Sequence, residues 1–468
     1  MIELLLTEKQ SKRRQHILQG NLWKVVLWLS MPLAIYGLFN YLYGFFDLVL
    51  VSTIGSNEVA SVVFIDEIKS AILAFGGGIA VGGTVIVARF YGAGDISLAR
   101  KHANAAFMLA FLVSLIVVLV TLFFGKYILG LLNAPEEVIR SGLGYFYIQM
   151  ASTSLMAVNS VFIGLEKAKG NTTYILVLNL IAMTLKLILS IIFVFVLGKG
   201  TTYVALATLI AQGFLMMVAL WVMLKKTNPF QLNFKEMILK KVYILPILAI
   251  SIPVFTGKFL FSFGKVLVNS MAAVYGPLAV AAFGISMKLA GAPGSMSLVF
   301  EEAETSIVSQ NLGNKRLDRA MKTFVVSHIY AIIIAVIGLI LVNQMMDTLL
   351  PLFTKNTDPI FINMIKDIYV WEKFSTLTST SIAIITGLFI GFKFSKVALI
   401  LNVTRLFVFR LPLLWILQQM NIGYVALGYV MFYSNIATMV LAMIILSIFY
   451  HRIRLYGYMD MELYPQTT

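Results

Sequence analysis

Apolar runs long enough to cross a bilayer recur about twelve times in this chain, from Leu22–Thr53 to Ile422–Tyr450. At about 1.5 Å of helical rise per residue, roughly 20 residues span the hydrocarbon. In that solvent each backbone N–H and C=O must be satisfied within its own helix or in a closed barrel. The sequence therefore reads as an all-α polytopic membrane protein. Its charged fraction, 12%, stands against about 25% in a soluble domain. With no cysteine, disulfides, thiolate metal sites and cysteine nucleophiles are excluded.

The first long run carries two residues that a spanning helix does not need, Pro32 and Asp47. A carboxylate inside the hydrocarbon costs at least about 2.5 kcal/mol, so it faces a partner, a cavity or an ion. Asp47 is thus a candidate coupling residue, with a salt-bridged structural aspartate as the plainer reading.

The net charge of +15 would suggest nucleic acid in a soluble protein. Here it follows from Lys and Arg concentrated in alternate loops, which places both termini in the cytoplasm. Two sequence pairs recur at one spacing. LSMP ending at Pro32 returns as ISIP ending at Pro253, and YVALA from Tyr203 returns as YVALG from Tyr424, both 221 residues on (253 − 32 and 424 − 203). The loop Phe90–Lys101 falls on Asn311–Lys322 at the same offset. Six spans per repeat give parallel halves related by an axis along the membrane normal. The expected organisation is a basic tail at 1–21, an N-lobe at 22–224, a linker at 225–241, a C-lobe at 242–450 and a tail at 451–468.

These pieces, with the glycine-rich Gly76–Asp95 stretch and the QNLGNKRLDRA loop at Gln310–Ala320, make the chain similar to the multidrug and toxic compound extrusion (MATE) family. That family belongs to the superfamily that includes lipid-linked oligosaccharide flippases. The resemblance covers essentially the whole chain. It implies a V-shaped twelve-helix exporter exchanging H+ or Na+ for an organic substrate, with Pro32 bending the first helix and Asp47 coupling to the cation. It also implies a monomer with no cofactor beyond the coupling ion.

The chain departs from the family pattern at one place. Many bacterial relatives carry a second carboxylate in the fifth span, where this chain has Lys186; the nearby amide is Asn179, about two turns earlier. Lys186 reads either as a counter-ion that releases Asp47 on protonation or as half of a permanent salt bridge. Glu67 in FIDEIKS is a candidate for the missing second acid, whereas Asp66 and Lys69, three residues apart, can pair with each other.

The second half holds many intramembrane charges: Lys258, Lys265, Lys288, Glu372, Lys373, Arg405 and Arg410, with Glu301, Glu302 and Glu304 lower in the eighth span. Charges on so many helices converge on an internal cavity in preference to lipid. The surplus of cations suggests an anionic substrate, or else a network tying helices together. The four histidines have no metal-ligand spacing, and no nucleophile elbow or phosphate loop occurs, so an enzyme is not expected. The expected partners are small organic molecules, some of them anionic, and the bilayer. The runner-up function is a flippase for an anionic lipid-linked precursor.

Overall fold

The computed structural model describes residues 6–54, 56–131, 142–233, 240–354 and 358–457, without the side chains of residues 45, 48, 49, 52, 56–61, 63, 67 and 456. Among the described residues every regular element is a helix, and twelve helices are long and apolar enough to cross a membrane. In chain order they begin with α1 (Glu8–Gln19), α2 (Leu22–Ser52), α3 (Ser56–Ala93), α4 (Ile96–Leu131) and α5 (Leu143–Ala168). Then come α6 (Thr172–Ile191), α7 (Thr201–Leu224), α8 (Lys241–Ala272), α9 (Pro277–Gly313) and α10 (Leu317–Gln344). The chain continues with α11 (Met346–Phe353), α12 (Pro359–Gly391), α13 (Ser395–Val403), α14 (Leu411–Gln419) and α15 (Ala426–Tyr456). A turn of wider π geometry, Thr404–Arg410, joins α13 to α14, and a second, Ile192–Val196, extends α6.

The helices form two compact units. One comprises Met1–Asn21, Met31–Phe255 and Ser309–Lys315; the other comprises Leu22–Ser30, Thr256–Val308 and Arg316–Thr468. Two of the divisions fall inside helices beside prolines, in α2 just before Pro32 and in α8 just after Pro253. A proline in a helix interior removes one i→i−4 hydrogen bond and crowds the preceding turn.

In the first unit α5 is central, packing on α3, α4 and α7. Small residues let the backbones approach: Gly76 of α3 lies on Ala157 of α5, with no room for a side chain. The internal repeat is visible in a matched pair of contacts. A side chain at Gly92 would collide with the Gln310 carbonyl, and one at Gly313 with the Arg89 carbonyl. Gly92 and Gly313 are 221 residues apart, as are Arg89 and Gln310, so the two contacts are one contact used twice.

The expected basic tail contains a docked helix. Thr7 and Gln10 form a reciprocal capping box at the start of α1, and Ile17 and Leu18 are buried. Arg14 then donates to the Tyr91 and Gly92 carbonyls at 2.7 and 2.8 Å. The capping pair is a recognisable start signal. The charge-rich composition hid it.

In the second unit α12 packs on α15 and α10, around a core that includes Phe283, Ile365, Tyr369 and Leu427. Hydroxyls pin α9 to α12 along their length. Ser286 donates to the Ile365 carbonyl at 2.8 Å, Ser297 meets Thr380 at 2.9 Å, and Thr305 donates to the Gly387 carbonyl at 3.0 Å.

Candidate functional site

On α2, Tyr43 and Asp47 are four residues apart and share one helix face; on α6, Lys186 and Ser190 do the same. The first unit sets these faces against each other. Lys186 Nζ donates to Asp47 Oδ2 at 2.9 Å and lies 4.6 Å from the centroid of the Tyr43 ring. Ser190 faces the Tyr43 hydroxyl. The other Asp47 oxygen, Oδ1, is buried without a hydrogen-bond partner. The side chains of Lys186 and Asp47 are 15% and 31% exposed, so the pair is only partly wet.

A second pair stands on α3, where Lys69 Nζ meets Asp66 Oδ1 at 3.0 Å. Both of its charges are within electrostatic reach of Lys186, and Tyr145 of α5 is within reach of both aspartates. Among the described side chains, two acids and two lysines thus form one cluster whose charges offset. Removing one member of a buried pair leaves an uncompensated charge, at about 3–5 kcal/mol.

Of the remaining first-half candidates, Asn179 is not part of this cluster. Its side chain donates to the Ile175 carbonyl at 2.8 Å, within its own helix. Glu67 lies outside the described side chains. Pro32 sits in the interior of α2.

In the second unit, Arg405 and Arg410 end up on one side because the π turn between them repeats at five residues, a spacing that an α-helix would splay. Both are buried, and they donate hydrogen bonds to neutral groups. Arg405 donates to Asn402 Oδ1 at 3.0 Å and to Ser379 Oγ at 3.4 Å. Arg410 donates to Ser434 Oγ at 3.0 Å and to Asn435 Oδ1 at 2.8 Å. Asn435 is held in turn by Ser375. Phe261 of α8 lies among three cations, with Arg405 at 4.0 Å, Lys265 at 5.0 Å and Arg410 at 5.9 Å from its centroid.

Glu372 is within electrostatic reach of Arg410 and Lys265, and Glu301 within reach of Lys258 and Arg405. The structure therefore gathers Lys258, Lys265, Glu372, Arg405 and Arg410. Lys288 is exposed on α9, and Lys373 lies apart, against a groove between α10 and α12.

One feature of the sequence gains meaning only in three dimensions. Glu304, one turn from Glu301, is fully buried, and among the described residues neither of its carboxylate oxygens has a hydrogen-bond partner. Tyr43, Ser190 and Phe261 were also missed as neighbours. The i,i+4 spacing to Asp47 and Lys186 was the available signal for the first two. Among the described residues no group of three or more His, Asp or Glu could hold a metal ion.

Comparison with known proteins bears on what this arrangement serves. The sequence model of a family described as MatE matches residues 32–192 and again 253–416. The second match starts 221 residues after the first (253 − 32), which is the spacing of the internal repeat. The multidrug export protein MepA of Staphylococcus haemolyticus is 25% identical over 321 residues, 68% of this chain and 71% of that protein. MepA of Staphylococcus aureus (strain MSSA476) is 23% identical over 339 residues, with 72% and 74% covered.

Among solved structures, an outward-facing multidrug resistance MATE family transporter of the MOP superfamily matches with a TM-score of 0.89 at 19% identity, over 96% of this chain and all of that one (100%). A MOP superfamily transporter from Pyrococcus furiosus Vc1, described by the reverse polarity of its binding pocket and a suggested different function, gives 0.88 at 19% identity, over 96% and 99%. At these identities the structural likeness speaks for the fold alone.

Proposed function

The chain belongs to the MatE family of membrane transporters, and from that premise we propose that it exports small organic compounds in exchange for H+ or Na+, with Asp47 as the coupling carboxylate. The observation that carries this reading is the Lys186–Asp47 contact at 2.9 Å in a partly dry site. In the cycle we propose, an incoming proton neutralises Asp47 or an incoming Na+ takes its oxygens. Lys186 then loses its partner. The cost of an unpaired ammonium at that depth favours rearrangement of α2 about Pro32, where the helix lacks a backbone hydrogen bond. The lobes at 22–224 and 242–450 alternate access to the substrate, which leaves on the outer side.

The loop charges support a cell-membrane protein with both termini in the cytoplasm, and the staphylococcal relatives support a prokaryotic one. We take the monomer as the working unit. Transport requires no enzymatic turnover and no bound cofactor besides the exchanged ion.

A second reading has its own support. Arg405 and Arg410 are buried on neutral partners, and Lys258 and Lys265 are exposed on the neighbouring α8. This favours anionic organic substrates, and in the extreme a flippase for an anionic lipid-linked precursor.

The test is transport by purified protein in liposomes under an imposed pH or sodium gradient, with a cationic dye, an anionic dye and a lipid-linked pyrophosphate offered separately. Dye movement that collapses with one gradient supports exchange and names the ion. Movement of the lipid alone, without either gradient, replaces the exporter reading by the flippase.

A further inference from the structure

Among the described residues Lys373 has neither a carboxylate nor an amide in hydrogen-bond contact, and it stands apart from the charges gathered around Arg405 and Arg410. It lies on α12, a helix of 33 residues, about 21 Å from the Pro359 end at 1.5 Å per residue. Its Nζ is 5.4 Å from the centroid of the adjacent Phe374 ring. Among the described residues no acid forms an ion pair with it. An ammonium at this depth is costly without a counter-charge.

What Lys373 faces is a groove of about 330 Å³ between α10 and α12. Val336, Leu339, Ile340 and Leu377 form its apolar wall, and Asn343 and Gln344 stand in the same lining. The contact of Ser381 Oγ with His328 Nε2 at 3.2 Å sets the antiparallel register of the two helices. Counting from it at 1.5 Å per residue, the two amides lie about 12 Å beyond the Lys373 backbone, toward the helix ends. A lysine chain in an apolar wall reaches toward such a polar end. The groove thus carries two amides toward one end, a cation in its lining and an apolar wall.

The exposed face beside the groove shows where an occupant comes from. Ile333, Ile337, Ile340 and Leu341 on α10 are 46–53% exposed, and Phe374 on α12 is 46% exposed. A membrane helix turns such a face to lipid. We propose that the groove seats one anionic membrane lipid, its acyl chain along Val336, Leu339, Ile340 and Leu377 and its phosphate held by Lys373, with the Asn343 and Gln344 amides as further donors. Anionic headgroups are recognised by basic side chains at this kind of position, and the lipid supplies the counter-charge that the protein does not. The inference is independent of which compound is exported.

The experiment is native mass spectrometry of the full chain, released from micelles equilibrated with equal amounts of phosphatidylglycerol and phosphatidylcholine. Wild type is expected to retain one phosphatidylglycerol in preference by about fivefold, the scale of one basic residue near an anionic headgroup. Lys373→Met brings the two lipids close to parity, and Lys373→Arg keeps the preference. Ile340→Trp, which fills the groove and leaves Lys373 in place, loses the retained lipid. Equal retention of both lipids by wild type, or an unchanged preference in Lys373→Met, overturns the proposal. So does displacement of phosphatidylglycerol by an exported anionic dye. Should Lys373→Met fail to fold, the contrast between Lys373→Arg and Ile340→Trp decides.

Discussion

In the first unit the membrane-level charges cancel in contact: Lys186 meets Asp47 at 2.9 Å and Lys69 meets Asp66 at 3.0 Å. In the second, Arg405 and Arg410 hydrogen-bond to hydroxyl and amide groups with Glu301 and Glu372 in electrostatic reach, and among the described residues the buried Glu304 carboxylate has no hydrogen-bond partner. The 221-residue repeat is recorded by the twin contacts at Gly92 and Gly313, whereas the charged groups of the two units are held differently. A paired cluster resists loss of either member and can be switched by a single proton. In the second unit hydroxyls and amides hold the guanidiniums while Glu301 and Glu372 act on them at longer range, so the charges there are not matched in direct ion pairs. The repeat is written into the sequence, and the charged chemistry differs between the two units.

Substitutions can break this contrast, and the largest effect is expected in the first unit. Asp47→Asn leaves Lys186 without its counter-ion and should cost about 3 kcal/mol, the low end for a broken pair because the Asp47 side chain is 31% exposed. Thermal unfolding in nanodiscs would show it, and Asp47→Asn combined with Lys186→Met should recover most of the loss.

The second unit should respond with the opposite sign. Glu304→Met removes a dry carboxyl whose oxygens have no partner, and stability should rise by about 1–3 kcal/mol. A drop of that size in the same unfolding assay would mean that Glu304 is paired after all.

Smaller effects test the shared scaffold. Gly92→Ala and Gly313→Ala each push a methyl against a backbone carbonyl and should each cost about 1–2 kcal/mol, as overpacking does. If the repeat symmetry is mechanical as well as geometric, the two losses will be nearly equal. The smallest change serves as the control. Lys366 and Asp347 pair at 2.9 Å, but both are well exposed, so Lys366→Ala should shift stability by less than about 0.5 kcal/mol.

How much of this was legible depended on range. The helices follow from apolar length, since a bilayer leaves a spanning segment little choice but to be helical, and the repeat followed from Pro32 and Pro253. The Asp47–Lys186 meeting could be anticipated because an ammonium and a carboxylate at one depth attract strongly in a dry medium. The fate of Asn179 could not, because an amide satisfied by its own helix looks in sequence like one aimed at a site. Nor could the convergence of Arg405 and Arg410, which rests on a π turn whose local sequence carries no marker. Glu304 was visible as an acid, but its isolation depends on helices more than twenty residues away in the chain. The capping pair Thr7 and Gln10 was readable and was obscured by the surrounding charge.

The measurement that bears most directly on the central claim is substrate-driven release of the coupling ion, H+ or Na+, from proteoliposomes, comparing wild type with Asp47→Asn and Lys186→Met. The account predicts release by wild type, none by Asp47→Asn, and altered pH dependence in Lys186→Met with transport retained. Normal exchange by both variants would contradict it and reduce the 2.9 Å contact to a structural tie.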